Sequence, residues 1–185
     1  MLQDVSTIPL ADLAARVRSA TPRCGATRLV CVDGRSGSGK TTFAGRLAAE
    51  LGAPVLHLDD VYPGWDGLAA AVPLLLDGVV APLVAGRDAA YRRWDWLRGE
   101  PAGTVELERP AVLVVEGVGS GARVVAEHAV LLVWTEAPRA VRHRRGMARD
   151  GEAYRPHWER WAAQEDAYLA AEDPRARAHL VIDTA

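Results

Sequence analysis

The chain has 185 residues, 49% of them hydrophobic and 25% charged, enough for one well-formed core in a single domain spanning 1–185. Its net charge of −2 and pI near 6.2 exclude a global attraction to nucleic acid or to an anionic membrane. No apolar run is long enough to span a bilayer, the N-terminus lacks the halves of a signal peptide, and Cys24 and Cys31 have no zinc or redox spacing, so a cytoplasmic chain with reduced thiols is expected.

In chain order, residues 9–20 have helical spacing, with Leu10, Leu13 and Val17 turned inward. Residues 28–33 form a short apolar, β-branched strand that runs straight into Gly34-Arg35-Ser36-Gly37-Ser38-Gly39-Lys40-Thr41. That segment matches G-x-x-x-x-G-K-[ST], the phosphate-cradling P-loop. Lys40 is the only lysine against 21 arginines. A lysine kept under such a bias points to a place where a compact ammonium serves and a planar guanidinium does not. Residues 41–51 continue as a helix, with Phe43, Leu47 and Leu51 on one face and Gly52 as a stop. Strand, loop and helix in this order aim backbone N–H groups and a helix N-terminus at one anion, with the Thr41 hydroxyl placed to ligate Mg²⁺. The cradle so defined runs through Gly34, Arg35, Ser36, Gly37, Ser38, Gly39, Lys40, Thr41 and Thr42.

A second strand over 55–58 ends at Asp59 and Asp60, and short helices are expected over 67–76 and 78–85. Residues 86–108 are rich in Trp and Arg and broken by Gly and Pro, and no element is assigned there. A third strand, 112–115, ends at Glu116-Gly117; a fourth covers 129–134, a helix opens near Pro138, and a fifth strand covers 179–182. Apolar strands alternating with helices predict an α/β fold with a parallel sheet buried on both faces and ligands at the carboxyl ends of its strands.

Three groups of residues carry the chemistry. Asp59 lies where it could accept a proton from a hydroxyl or help hold Mg²⁺, or it is a turn or capping acid; Asp60 points elsewhere if the pleat continues. Glu116 ends its strand as a Walker B acid does, reaching the metal, or it is a carboxylate bonded to the P-loop backbone. Arg139, Arg142, Arg144, Arg145 and Arg149 crowd one segment, and Arg142, Arg145 and Arg149 share a helix face. Phosphate under a mobile lid would offset their repulsion; a solvated helix face is the alternative. Trp65, Tyr91, Trp94 and Trp96 either wall an acceptor pocket or pack over the sheet edge, and His57 reads as a structural histidine.

With the P-loop, the Asp59-Asp60-Val61-Tyr62 strand end, the Glu116-Gly117 strand end and the arginine helix in this order, residues 28–183 resemble the uridine kinase/phosphoribulokinase-like family of P-loop kinases. The resemblance implies a three-layer α/β/α P-loop kinase fold, with a five-stranded parallel sheet of order 2-3-1-4-5 and a helical lid at about 139–155. It implies ATP-Mg²⁺ as donor and a small-molecule hydroxyl as acceptor, a nucleoside such as uridine among them. It makes Asp59 the general base, Tyr62 a border of the acceptor, and Glu116 with Thr41 and Asp59 the metal-binding side. Arg142 and Arg145 would contact phosphates. Apart from the resemblance, Asp60, Trp65, Tyr91 and Trp94 are expected on the acceptor side. Val61 replaces the family's usual aromatic, and the stretch between the second and third strands leaves little room for a base-covering β-hairpin. A kinase for a non-nucleoside alcohol (sugar acid, vitamin precursor or antibiotic) and an ATP-binding regulatory module are the alternatives. A homodimer is an open option.

Overall fold

Five apolar segments form a parallel sheet in the computed structural model, which describes residues 9–185, and of 150 and 153 the backbone alone. The stretch 1–8, on which the reading of the N-terminus partly rests, lies outside the described residues. The strands are β1 (Arg28–Asp33), β2 (Val55–His57), β3 (Ala89–Asp95), β4 (Glu100–Leu107), β5 (Val112–Glu116), β6 (Ala129–Glu136) and β7 (Leu180–Asp183). The helices are α1 (Leu10–Ser19), α2 (Lys40–Leu51), α3 (Leu68–Leu75), α4 (Ala81–Val84), α5 (Arg123–Ala126), α6 (Arg139–Tyr154), α7 (Trp158–Glu172) and α8 (Pro174–Arg177). Five strands pair in parallel in the order β2-β5-β1-β6-β7. Counted without the separate β3–β4 pair, this is the expected order 2-3-1-4-5.

Alternation along β1 explains the three layers. Leu29 and Cys31 face a core shared with α3, α5 and α7, whereas Val30 and Val32 face one shared with α1 and α2. Every side chain of β1 after Arg28 is therefore buried, so the strand reads as a continuous apolar run and not as an alternating one. Each fully buried Leu or Val contributes about 1.5–3 kcal/mol. Cys24 and Cys31 are free and buried, and burial pushes the Cys24 thiol up to about 11.

The fold corrects the sequence reading in three places. An antiparallel hairpin, β3–β4, occupies the stretch judged too short for one. It packs beside a π-helical turn (Leu76–Val80) that links α3 to α4, where a Cβ on Gly78 would lie 2.7 Å from the Ala90 carbonyl. Strand β2 ends at His57, and Leu58–Asp60 form a 3-10 turn, so the strand pleat does not decide where Asp59 and Asp60 point. Finally, α7 was not anticipated; it follows α6 after the backbone turns at Gly151 (φ 59).

Candidate functional site

Asp33 closes β1 and is fully buried, so its carboxylate requires donors. It accepts from the backbone N–H groups of Gly34 (2.6 Å), Gly121 (2.9 Å) and Gly119 (3.3 Å) and from the Tyr168 hydroxyl (2.7 Å). Burial pushes its pKa up, and these bonds and the Lys40 charge oppose that shift. One side chain thus ties the start of the P-loop to the loop after β5 and to α7. Gly37 (φ 76) is where the start of α6 rests on the loop, since a Cβ there would meet the Arg142 carbonyl at 2.3 Å. Inside the loop, the buried Lys40 ammonium curls back to the Arg35 carbonyl at 3.0 Å.

Glu116 reaches the mouth of this loop from the end of β5. Its Oε1 accepts from the Thr41 hydroxyl at 3.1 Å and meets His57 Nδ1 at 2.6 Å. Burial pushes the Glu116 carboxyl up, but the His57 bond, the Lys40 charge and the Thr41 hydroxyl outweigh it and hold its pKa below 4.5. The bond to Glu116 raises the His57 pKa above 6.5, against desolvation. His57 therefore sits in the site, not apart from it. A hydroxyl and an ionised carboxylate side by side at a P-loop mouth are hard oxygen donors that fit Mg²⁺ completed by phosphate oxygens. Among the described residues, no group of three or more His, Cys, Asp or Glu could hold a metal without such help.

A cavity of about 610 Å³ opens beside these groups. Ser36, Lys40, Thr41 and Glu116 line one end, and Asp59 and Arg149 flank it, with 3.9 Å between the Arg149 guanidinium and the Asp59 carboxylate. Aromatic rings make the other end. Trp65 stacks on His157 (centroids 4.2 Å apart, 11° between planes), lies 4.8 Å from Trp96, and faces Tyr154 and Trp161. Tyr62 also lines the cavity, although it is fully buried and its hydroxyl donates to the Val118 carbonyl at 2.8 Å.

Several expected site residues fall elsewhere. Tyr91 packs against the core beneath the hairpin, Trp94 lies over Gly64, and neither these nor Asp60 lines the cavity. Arg142 is buried with its guanidinium on the Ala137 carbonyl (3.1 Å) and the Ser36 carbonyl (3.4 Å), and Arg145 holds the Thr184 carbonyl (2.6 Å) and hydroxyl (3.0 Å). Both brace the loop from outside; of the arginines expected on one face, Arg149 is the one that lines the cavity. Arg35 pairs with Asp166 at 2.5 Å, and Thr42 is exposed on α2.

Two residues on the far side of the loop were not legible in the sequence. Glu165 is 1% exposed; it accepts from the Ser36 N–H at 2.6 Å and lies 3.6 Å from Arg35 and 4.0 Å from Arg142. Burial raises its pKa, against the Ser36 bond and the nearby cations. Tyr154 donates from its hydroxyl to Ser36 Oγ at 2.8 Å. A Glu on a helix normally faces water, and only the i, i+3, i+7, i+10 series of Trp158, Trp161, Glu165 and Tyr168 would have hinted otherwise.

No family model matches the chain, and no curated protein matches it in sequence. Among solved structures it is similar to one from Bacillus stearothermophilus described as a possible uridine kinase, with a TM-score of 0.67 and 23% identity over 94% of this chain and 97% of that one. It is also similar to one from Silicibacter sp. TM1040 provisionally described as a fructose transport system kinase, with a TM-score of 0.60 and 22% identity over 95% of this chain and 99% of that one. At such identities the likeness is one of fold, the three-layer α/β/α arrangement of P-loop kinases.

Proposed function

We propose that this protein is an ATP-dependent small-molecule kinase that moves the γ-phosphoryl group of ATP to an alcohol. The observation that carries this reading is that Asp59 lines the same cavity as Lys40, Thr41 and Glu116. A phosphate-binding end and a carboxylate able to take a proton thus open onto one space large enough for a small molecule. The Lys40 ammonium would lie as a point charge among the β- and γ-phosphate oxygens. Thr41 and Glu116 would hold Mg²⁺, which would supply charge neutralisation at those oxygens. In the transfer, the acceptor oxygen bonds to the γ-phosphorus, the bond to the ADP oxygen breaks, and the acceptor's proton passes to Asp59. Catalysis on this reading comes mainly from positioning and charge. Helix α6 serves as the lid, bringing Arg149 to the cavity.

A nucleoside such as uridine is one acceptor consistent with the fold, in line with the description of the Bacillus stearothermophilus structure; the description of the Silicibacter structure favours a sugar. The test is a screen of nucleosides, sugars and other alcohols for acceptor-stimulated ADP release. Stimulation abolished by Asp59→Asn supports the kinase. Slow ATP hydrolysis indifferent both to every acceptor and to Asp59→Asn would instead mark a regulatory ATP-binding module.

A further inference from the structure

The acceptor end of the cavity is built largely from ring faces, and three of the polar atoms those rings carry are already engaged. The Tyr62 hydroxyl donates to the Val118 carbonyl (2.8 Å), the Tyr154 hydroxyl to Ser36 Oγ (2.8 Å), and Trp96 Nε1 to the Asp59 carbonyl (2.7 Å). The imidazole of His157 lies flat on Trp65. Among the described residues, no amide side chain is free to read the donor and acceptor edge of a base or the hydroxyls of a sugar. The chain has no asparagine, and of its two glutamines Gln3 lies outside the described residues. The other, Gln164, spends its amide on the Trp65 carbonyl (2.8 Å) and the Leu68 N–H (3.4 Å).

The hairpin tip carries the same chemistry to the mouth. Asp95 Oδ1 accepts from the N–H groups of Leu97 (2.9 Å) and Arg98 (3.0 Å), which fixes the turn. That fixed turn displays Leu97, 100% exposed, at the cavity edge beside Trp96. Apolar surface held rigidly in water at a binding mouth is complementary to an apolar ligand body. Trp96 touches the backbone of residue 59 itself, so the ring wall starts next to the carboxylate and leaves room for only a short arm between ring and hydroxyl.

Resting on the kinase reading above, we infer that the acceptor is an aryl-alkyl alcohol, an aromatic ring bearing a hydroxyl on a short arm. Its ring stacks on Trp65 and Trp96 under Leu97 and its hydroxyl meets Asp59. Recognition is by stacking and burial more than by hydrogen bonds to the ring's edge.

The test uses the whole protein with ATP-Mg²⁺ and three probes: 2-phenylethanol, uridine and D-ribose. ADP release measures turnover, and quenching of tryptophan fluorescence in the presence of ADP measures binding apart from chemistry. The expected result is a KM for 2-phenylethanol at least tenfold below those of uridine and ribose. Leu97→Ser should raise it at least threefold with the KM for ATP unchanged; that side chain is fully exposed, so its loss leaves the fold intact. Preferred turnover of uridine or ribose overturns the inference and leaves the kinase reading standing. Binding of 2-phenylethanol weakened by Leu97→Ser, without ADP release from any probe, supports the aryl site and overturns the kinase reading. Neither binding nor turnover of 2-phenylethanol overturns the inference.

Discussion

Replacing Glu165 separates the two tasks of a buried carboxylate that grips the P-loop. In Glu165→Gln the side chain keeps its volume and a carbonyl oxygen for the Ser36 N–H, and loses only the long ion pairs at 3.6 and 4.0 Å. Relief from burying a charge offsets part of that loss, so the cost is about 1 kcal/mol. In Glu165→Ala the Ser36 N–H loses its acceptor, for about 1–3 kcal/mol, and a small void opens beside Arg142, bringing the total to about 3 kcal/mol. For a chain of 185 residues this converts to a melting temperature lower by about 2–4 °C for Gln and about 6–12 °C for Ala. Scanning calorimetry reads both. The KM for ATP should rise in the same order, because the loop loses its outer support. If Ala costs no more than Gln, the hydrogen bond to Ser36 contributes nothing and the reasoning fails.

Lys40→Arg should lower ATP-dependent turnover at least about tenfold with the melting temperature nearly unchanged, since a buried point donor becomes a wide fork; near-normal turnover would sink this. Asp59→Asn should lower kcat by about a hundredfold with a much smaller change in the KM for ATP, and Asp60→Asn should cost less; steady-state kinetics that reverse this order would show the wrong carboxylate was chosen. The His57–Glu116 pair sets a pH window. The raised pKa of His57 means its contribution is complete below 6.5 and fades as pH rises through the folded value; the lowered pKa of Glu116 means its contribution holds above 4.5 and fades as pH falls. The gap in melting temperature between the wild type and His57→Gln should be widest between those limits and close above them; a constant gap from about pH 5 to 9 would contradict the pairing.

The sheet was legible because its three central strands, β1, β5 and β6, are buried on both faces and leave nearly unbroken apolar runs, as in 112–116. The P-loop was legible because its backbone geometry demands glycines at fixed spacing. The hairpin was not, since β3 and β4 lie largely open to water and carry Arg92, Arg93, Pro101 and Gly103, with no apolar alternation to mark a strand. Helix α7 hid for a related reason: Glu165, a polar residue, stands buried in the middle of its inward stripe and interrupts the apolar spacing. The arginines of α6 were visible, but their directions were not. Whether Arg142 points at a phosphate or at the Ala137 carbonyl is decided by where α6 docks, which no local pattern encodes.

The fastening of the P-loop has a consequence for biogenesis. Its supports come from far along the chain: Glu165 stands 129 residues from Ser36, Tyr168 stands 135 from Asp33, and Thr184 donates to the Ser38 carbonyl across 146. Loops of that length close late, because their entropy must be surrendered before the contact repays it. A nascent or truncated chain holding residues 28–51 would carry the whole motif and still lack the cradle. On the kinase reading, affinity for triphosphate would thus be acquired in the last stages of folding, and its onset during refolding would serve as a clock for completion of the molecule.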